Sequence, residues 1–160
     1  MARHRGTARL QIVCVGKLRP PHDAAGDLYE ERVDRMAGLR VDEVAAEPIQ
    51  RGADRARRAE AERLRARLMP RAHRVALDPL GRTPKSSEAF AGGLRRHIDE
   101  GRPVAFIIGG AAGLDDALLV ECDERLSLGP LTMPHQLARV VLTEQIYRAL
   151  CLIQGHPYPH

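Results

Sequence analysis

Apolar and polar positions along this chain fall into blocks whose period keeps changing, and each change marks an element. Leu10–Val15 is a short apolar run with strand character, and after the Pro20-Pro21 break the spacing over Asp23–Met36 is that of a helix. Val41–Ala46 predicts a second strand. Ala53–Leu68, rich in Arg, Glu and Ala, predicts a second helix, closed by Pro70. Arg74–Leu77 predicts a third strand and Asp78–Lys85 a turn-rich loop, with Ser86 or Ser87 capping a helix that runs to about Glu100. Val104–Ile108 is apolar without alternation, the pattern of a strand buried on both faces. Ser127 closes a possible fifth strand, and Pro134–Ile153 predicts the final helix. Strands alternating with helices at this spacing imply an α/β fold: an open, mostly parallel sheet with helices on both faces and ligands off the carboxyl ends of its strands.

Composition narrows the picture without redrawing it. At 160 residues, with no repeat, low-complexity tract or linker, one domain over residues 9–160 is expected, preceded by a flexible basic arm over residues 1–8. There is no Trp and only three Tyr and two Phe, which argues against recognition of RNA by rows of stacked aromatics. The balance of 25 basic against 21 acidic residues gives +4, and the excess is mostly arginine, which favours a phosphate-bearing partner. Cys14, Cys122 and Cys151 form no C-x-x-C pair, which suits a reduced, cytoplasmic setting. The basic start lacks the apolar stretch of a signal peptide, and no apolar run reaches ~18 residues, so no membrane partner is expected.

Chemistry concentrates in the last third. Gly109, Gly110 and Gly113 follow the buried strand directly, as glycines do where backbone must turn sharply or approach a ligand, yet they match neither of the common phosphate-loop patterns. The loop Leu128-Gly129-Pro130-Leu131-Thr132-Met133 is apolar, and its unpaired backbone groups suit the edge of an adenine-like ring. The final helix is apolar nearly all round, so either its own sheet or a partner subunit must cover it, and a homodimer interface is the favoured expectation. On that helix Glu144 and Arg148 stand at i,i+4 and are expected to pair structurally. Seven arginines between Arg51 and Arg67 read as a solvated helix face, or more sharply as an RNA-phosphate stripe. His156 and His160 have a zinc-like separation but no supporting ligands, so no metal site is expected. Cys14 and Cys151 sit in apolar runs and read as core residues, neither having an evident charge partner to lower its pKa.

Taken together, several blocks resemble the RlmH-type ribosomal RNA large-subunit methyltransferases of the SPOUT superfamily. They are Val15-Gly16-Lys17, Ala76-Leu77-Asp78 with Gly81, and Phe106-Ile107-Ile108-Gly109-Gly110 with Gly113-Leu114. The match continues through Ser127-Leu128, Leu131-Thr132-Met133-Pro134-His135-Gln136-Leu137 with Arg139, and Glu144-Gln145-Ile146-Tyr147-Arg148-Ala149. The resemblance implies a single SPOUT-type domain with a deep C-terminal trefoil knot, assembled as a homodimer. It also implies methylation by S-adenosylmethionine, without a metal, of N3 of the pseudouridine at position 1915 in helix 69 of 23S rRNA, within the ribosome. Carried over, the cofactor contacts are Leu77, Gly109 and the loop Leu128, Gly129, Pro130, Leu131, Thr132 and Met133.

Methyl transfer to a base nitrogen demands positioning and removal of the N3 proton. Arg139 or Arg148 are candidates to stabilise negative charge on the base, and His135, Tyr158 or His160 to relay the proton. The chain departs from the family at its end, where a Tyr, a His and a basic residue are usual. Here Tyr158 is followed by Pro159 and then His160. Two alternatives therefore stand beside the leading expectation: a knotted RNA- or ribosome-binding module with weakened catalysis, and a methyltransferase of the same fold with another substrate.

Overall fold

The computed structural model describes residues 8–158, so the basic arm, apart from its last residue, and His160 lie outside the described residues. In chain order the elements are β1 (Leu10–Val15), α1 (Asp23–Ala37), β2 (Leu39–Val44), α2 (Ala53–Arg65) and β3 (His73–Arg82). They continue with α3 (Ser87–Asp99), β4 (Val104–Ile108), α4 (Asp116–Glu121), β5 (Glu124–Leu126) and α5 (His135–Gln154). The five strands form one parallel sheet in the order β2-β1-β4-β3-β5.

The unbroken apolar runs of β1 and β4 lie at its centre, every residue of both being buried. Successive side chains point to opposite faces of a strand, so each run feeds two cores. Leu10, Ile12 and Cys14 of β1 join Val104, Phe106 and Ile108 of β4 beneath α1, α3 and α5. Val13, Val15 and Ile107 face the other way, onto Ala61 and Leu64 of α2 and Leu118 of α4. The chain leaving β1 enters α1 on one face, while the chain leaving β4 enters α4 on the other. The two connections part between neighbouring strands.

Two local differences from expectation have evident physical causes. Residues 78–82 are not a loop. β3 continues through them past a register shift, with both Leu77 and Arg82 paired to Leu126. Gly81 allows that close pairing, because a Cβ there would stand 2.7 Å from the backbone carbonyl of Arg125. An unforeseen short helix, α4, starts where the Asp115 carboxylate accepts a hydrogen bond of 3.2 Å from the Ala117 N–H. β2 begins at Leu39 rather than Val41, and α2 stops at Arg65. Ser86 is the cap of α3, its hydroxyl accepting from the Ala89 N–H at 3.0 Å.

After β5, at the edge of the sheet, residues 127–134 carry the chain back to the opposite side of α3, and α5 packs between α1 and α3. Its own fold buries Ala138, Arg139, Leu142, Thr143, Ile146, Ala149, Leu150 and Cys151, leaving Leu137 and Leu152 exposed. Among the described residues no helix is long and apolar enough to cross a membrane.

Candidate active site

Beyond the carboxyl ends of β3, β4 and β5 lies a cleft of about 710 Å³, a size that suits a cofactor. Three segments supply most of its lining: Leu77–Leu80 of β3, the turn from Gly109 to Leu114, and the loop that leads into α5. The turn is a glycine construction. The Gly113 N–H donates to the Gly110 carbonyl at 3.0 Å, and Gly113 has a φ of 79°. A Cβ on Gly109 would lie 2.7 Å from the Gly113 carbonyl carbon, so a side chain there would force the turn open. From behind, Arg57 of α2 donates to the Ala112 carbonyl at 3.1 Å. In the second loop the buried Ser127 hydroxyl donates to the Gly129 carbonyl at 3.0 Å and accepts from the Gly129 N–H at 3.1 Å, which fixes the start of the loop.

The first turn of α5 closes the cleft. His135 lines it, with its Nε2 3.7 Å from where a Cβ on Gly16 would stand. Burial lowers the His135 pKa, so the imidazole is neutral at pH 7. One residue on, the Gln136 side-chain oxygen accepts from the Arg19 N–H at 2.8 Å and ties this turn to the loop after β1.

Of the eight positions expected to hold a cofactor, Leu77, Gly109, Leu128, Gly129, Leu131, Thr132 and Met133 all line this one cleft. Pro130 does not, and is exposed. Asp78, Asp116 and Leu119 also line it, yet sequence reasoning missed them. For Asp116 and Leu119 a signal was present, the Asp115 cap before an apolar run. Asp78 stands in the Ala76-Leu77-Asp78 block that carries the resemblance, but its place at the cleft comes from the bulged extension of β3, which depends on pairing with β5.

The catalytic candidates are divided. Arg139, one turn after His135, does not line the cleft and is 5% exposed. Its guanidinium reaches Glu30 of α1 at 2.7 Å and Glu43 of β2 at 3.1 Å, and also donates to the Cys14 sulfur at 3.4 Å. Cys14 therefore does have a charged neighbour, contrary to expectation. Burial outweighs it and pushes the thiol pKa up to about 11. Burial likewise pushes the Glu30 carboxyl up, against the pull of Arg139.

Tyr158 is held on another part of α5. Its hydroxyl donates to Glu144 Oε1 at 2.7 Å, Arg148 pairs with the same oxygen at 2.7 Å, and the guanidinium carbon lies 4.2 Å from the centre of the Tyr158 ring. The Tyr147 ring packs at 5.4 Å. Burial and the Glu144 bond raise the Tyr158 pKa, which keeps it a phenol at neutral pH. Glu144 and Arg148 thus pair structurally as expected. Among the described residues no group of three or more His, Cys, Asp or Glu is arranged to hold a metal ion.

A parallel sheet with a mostly apolar cleft off its carboxyl ends is an α/β architecture suited to a small-molecule ligand, and solved structures share this fold. A probable methyltransferase from Bordetella pertussis Tohama I shares the fold, with a TM-score of 0.54 and 21% identity over 89% of this chain and 95% of that one. A putative methylase family protein from Neisseria gonorrhoeae has a TM-score of 0.52 at 12% identity, covering 96% of this chain and 86% of that one. Residues 8–160 match the family model described as predicted SPOUT methyltransferase. The ribosomal RNA large subunit methyltransferase H of Thiobacillus denitrificans is 44% identical over 155 residues, which span 94% of this chain and 97% of the relative. The protein of the same name from Gemmatimonas aurantiaca is 44% identical over 154 residues, spanning 94% and 98%. This chain belongs to the SPOUT methyltransferase family.

Proposed function

We propose that this protein is an S-adenosylmethionine-dependent ribosomal RNA methyltransferase that modifies N3 of the helix 69 pseudouridine at position 1915 of the large subunit. The observation that carries this reading is the convergence of seven cofactor positions, from three segments up to 56 residues apart in sequence, on one cleft of suitable size. The cleft fits such a cofactor: its walls are mostly apolar, the 127–134 loop offers backbone groups to an adenine edge, and the glycine turn leaves no side chain at Gly109. When bound, S-adenosylmethionine supplies an activated methyl group on a sulfonium. The residues of this chain do the remaining work.

Leu77, Gly109, Leu128, Gly129, Leu131, Thr132 and Met133 grip the cofactor, and His135, neutral and at the cleft wall, accepts the N3 proton as the methyl is taken up. Arg139 serves as the ionic anchor that holds the first turn of α5 on α1 and β2. Tyr158, and with it His160 from outside the described residues, belongs to the part of the site that meets the base. A homodimer brings that part together, and the exposed Leu137 and Leu152 of α5 support such an interface. The passage of residues 127–134 from the edge strand to the space between α1 and α3 supports the deep knot. Arg51, Arg55, Arg58 and Arg67 are exposed without a carboxylate partner among the described residues, which supports contact with rRNA phosphates. The protein acts in the cytoplasm, where its substrate is.

The test is single-turnover methylation of large subunits and whole ribosomes from cells lacking the protein, with the product located by mass spectrometry. The expected result is one added methyl on N3 of the helix 69 pseudouridine. Cofactor binding without methyl transfer to either particle overturns the reading in favour of a binding module. Transfer to a different nucleotide overturns the substrate alone.

A further inference from the structure

Glu60 is 3% exposed, and its Oε2 is buried with no hydrogen-bond partner among the described residues. The other oxygen accepts only a long bond, 3.4 Å, from the Glu47 N–H. A buried carboxyl oxygen without a partner is costly, so its presence calls for a compensating role. Its position suggests one. The carboxyl group lies against Gly110, two residues past β4, beside Val15 at the end of β1. A Cβ on Gly110 would stand 2.8 Å from Glu60 Oε2, 3.0 Å from Val15 Cγ1 and 3.1 Å from Glu60 Oε1. The φ of Gly110 is not positive, so a side chain there meets no backbone demand but would have to push the Glu60 carboxyl group aside. Gly110 lines the cleft. Glu60 is therefore separated from the cleft by a single layer of backbone, and lies one helical turn beyond Arg57, which holds the Ala112 carbonyl of the same turn.

We propose that Glu60 is a positioning residue for the cofactor cleft: reaching from α2, its carboxyl group props the Gly109–Gly113 turn in the shape that receives the cofactor. This rests on the cofactor reading above. The prop acts by reach and shape. Glutamine fills the same volume and keeps an oxygen for the Glu47 N–H, whereas alanine and the shorter aspartate leave Gly110 unsupported.

Titration calorimetry with S-adenosylmethionine on the full chain, together with hydrogen exchange of residues 109–115, tests the inference. Expected are a loss of affinity of at least tenfold in Glu60→Ala, with faster exchange confined to the turn, a similar loss in Glu60→Asp, and Glu60→Gln within about threefold of the parent. In activity assays the KM for the cofactor rises while kcat at saturation holds. A double-mutant cycle adds a second line. Gly110→Ala should weaken binding strongly alone and less in the Glu60→Ala background, because the clash is then partly relieved. If the parent chain itself binds no cofactor, the functional reading fails. If the parent binds and Glu60→Ala binds within twofold, or Glu60→Gln is as weak as Glu60→Ala, or the cycle is additive, the positioning role fails. Should Glu60→Ala not fold, Glu60→Gln, Glu60→Asp and the Gly110→Ala variant alone and with Glu60→Gln decide.

Discussion

His135 and Arg139 stand one helical turn apart on α5, where residues at i and i+4 share a face, yet they belong to different parts of the molecule. The short imidazole stays at the cleft wall. The long arginine runs inward to two carboxylates contributed by α1 and β2. The same division separates the whole cleft from the closed clusters around Arg139 and Tyr158. In the cleft, glycine backbone and apolar side chains line open space that a ligand can fill. In the clusters, every charged group already has its partner within the fold. Residues of the first kind should govern binding, and those of the second kind stability.

The largest effect expected is on the second kind. Arg139→Ala leaves Glu30 in a buried site without its counter-ion, and the stability loss should be about 3 kcal/mol, since Glu43 is more exposed and can turn to water. Urea unfolding measures it, and an unchanged midpoint would show Arg139 free for catalysis after all. Next comes Gly109→Ala, for which cofactor affinity should fall about 100-fold, or ~2.7 kcal/mol, with only a small change in unfolding. Calorimetry beside a denaturation curve separates the two. A folded variant that binds normally breaks the assignment of the turn.

Tyr158→Phe removes one hydrogen bond to Glu144 and should lower stability by about 1 kcal/mol, a shift of roughly 2–4 °C in a chain of this size. Differential scanning calorimetry reads it, and a rate that survives the substitution would place Tyr158 wholly among the structural residues. The smallest effect concerns pH. His135 has a folded pKa below its unfolded value of 6.5, so the unfolded chain holds more protons between the two, and stability falls as pH drops through that window. His97, also lowered by burial, adds to the same dependence. His135→Gln should therefore flatten part of the slope below pH 6.5, and leave it unchanged above pH 7. A slope identical in parent and variant would mean that His135 is solvated and not part of the cleft wall.

Legibility in the sequence followed the range of the interaction. Leu10–Val15 and Val104–Ile108 were readable to the residue, because an uninterrupted apolar run between polar flanks has one good place in an α/β protein, the centre of the sheet. The Ser86 cap and the outline of α5 were local as well. Cofactor positions came through the resemblance, and the cleft then collected all but Pro130. Partners far apart in sequence were not readable. Arg139 gave no sign of seeking Glu30, 109 residues away, and nothing about Glu60 marked it as lying under Gly110.

The sequence by itself determined the alternation of strands and helices, the two-sided core and the glycine turn after β4. These depend on periodicity and on steric freedom within a few residues. Only the tertiary structure decided which charged side chains would be left for chemistry. A carboxylate brought within hydrogen-bonding reach of an arginine in a desolvated place takes it out of use, and whether one arrives depends on the packing of elements that are distant along the chain.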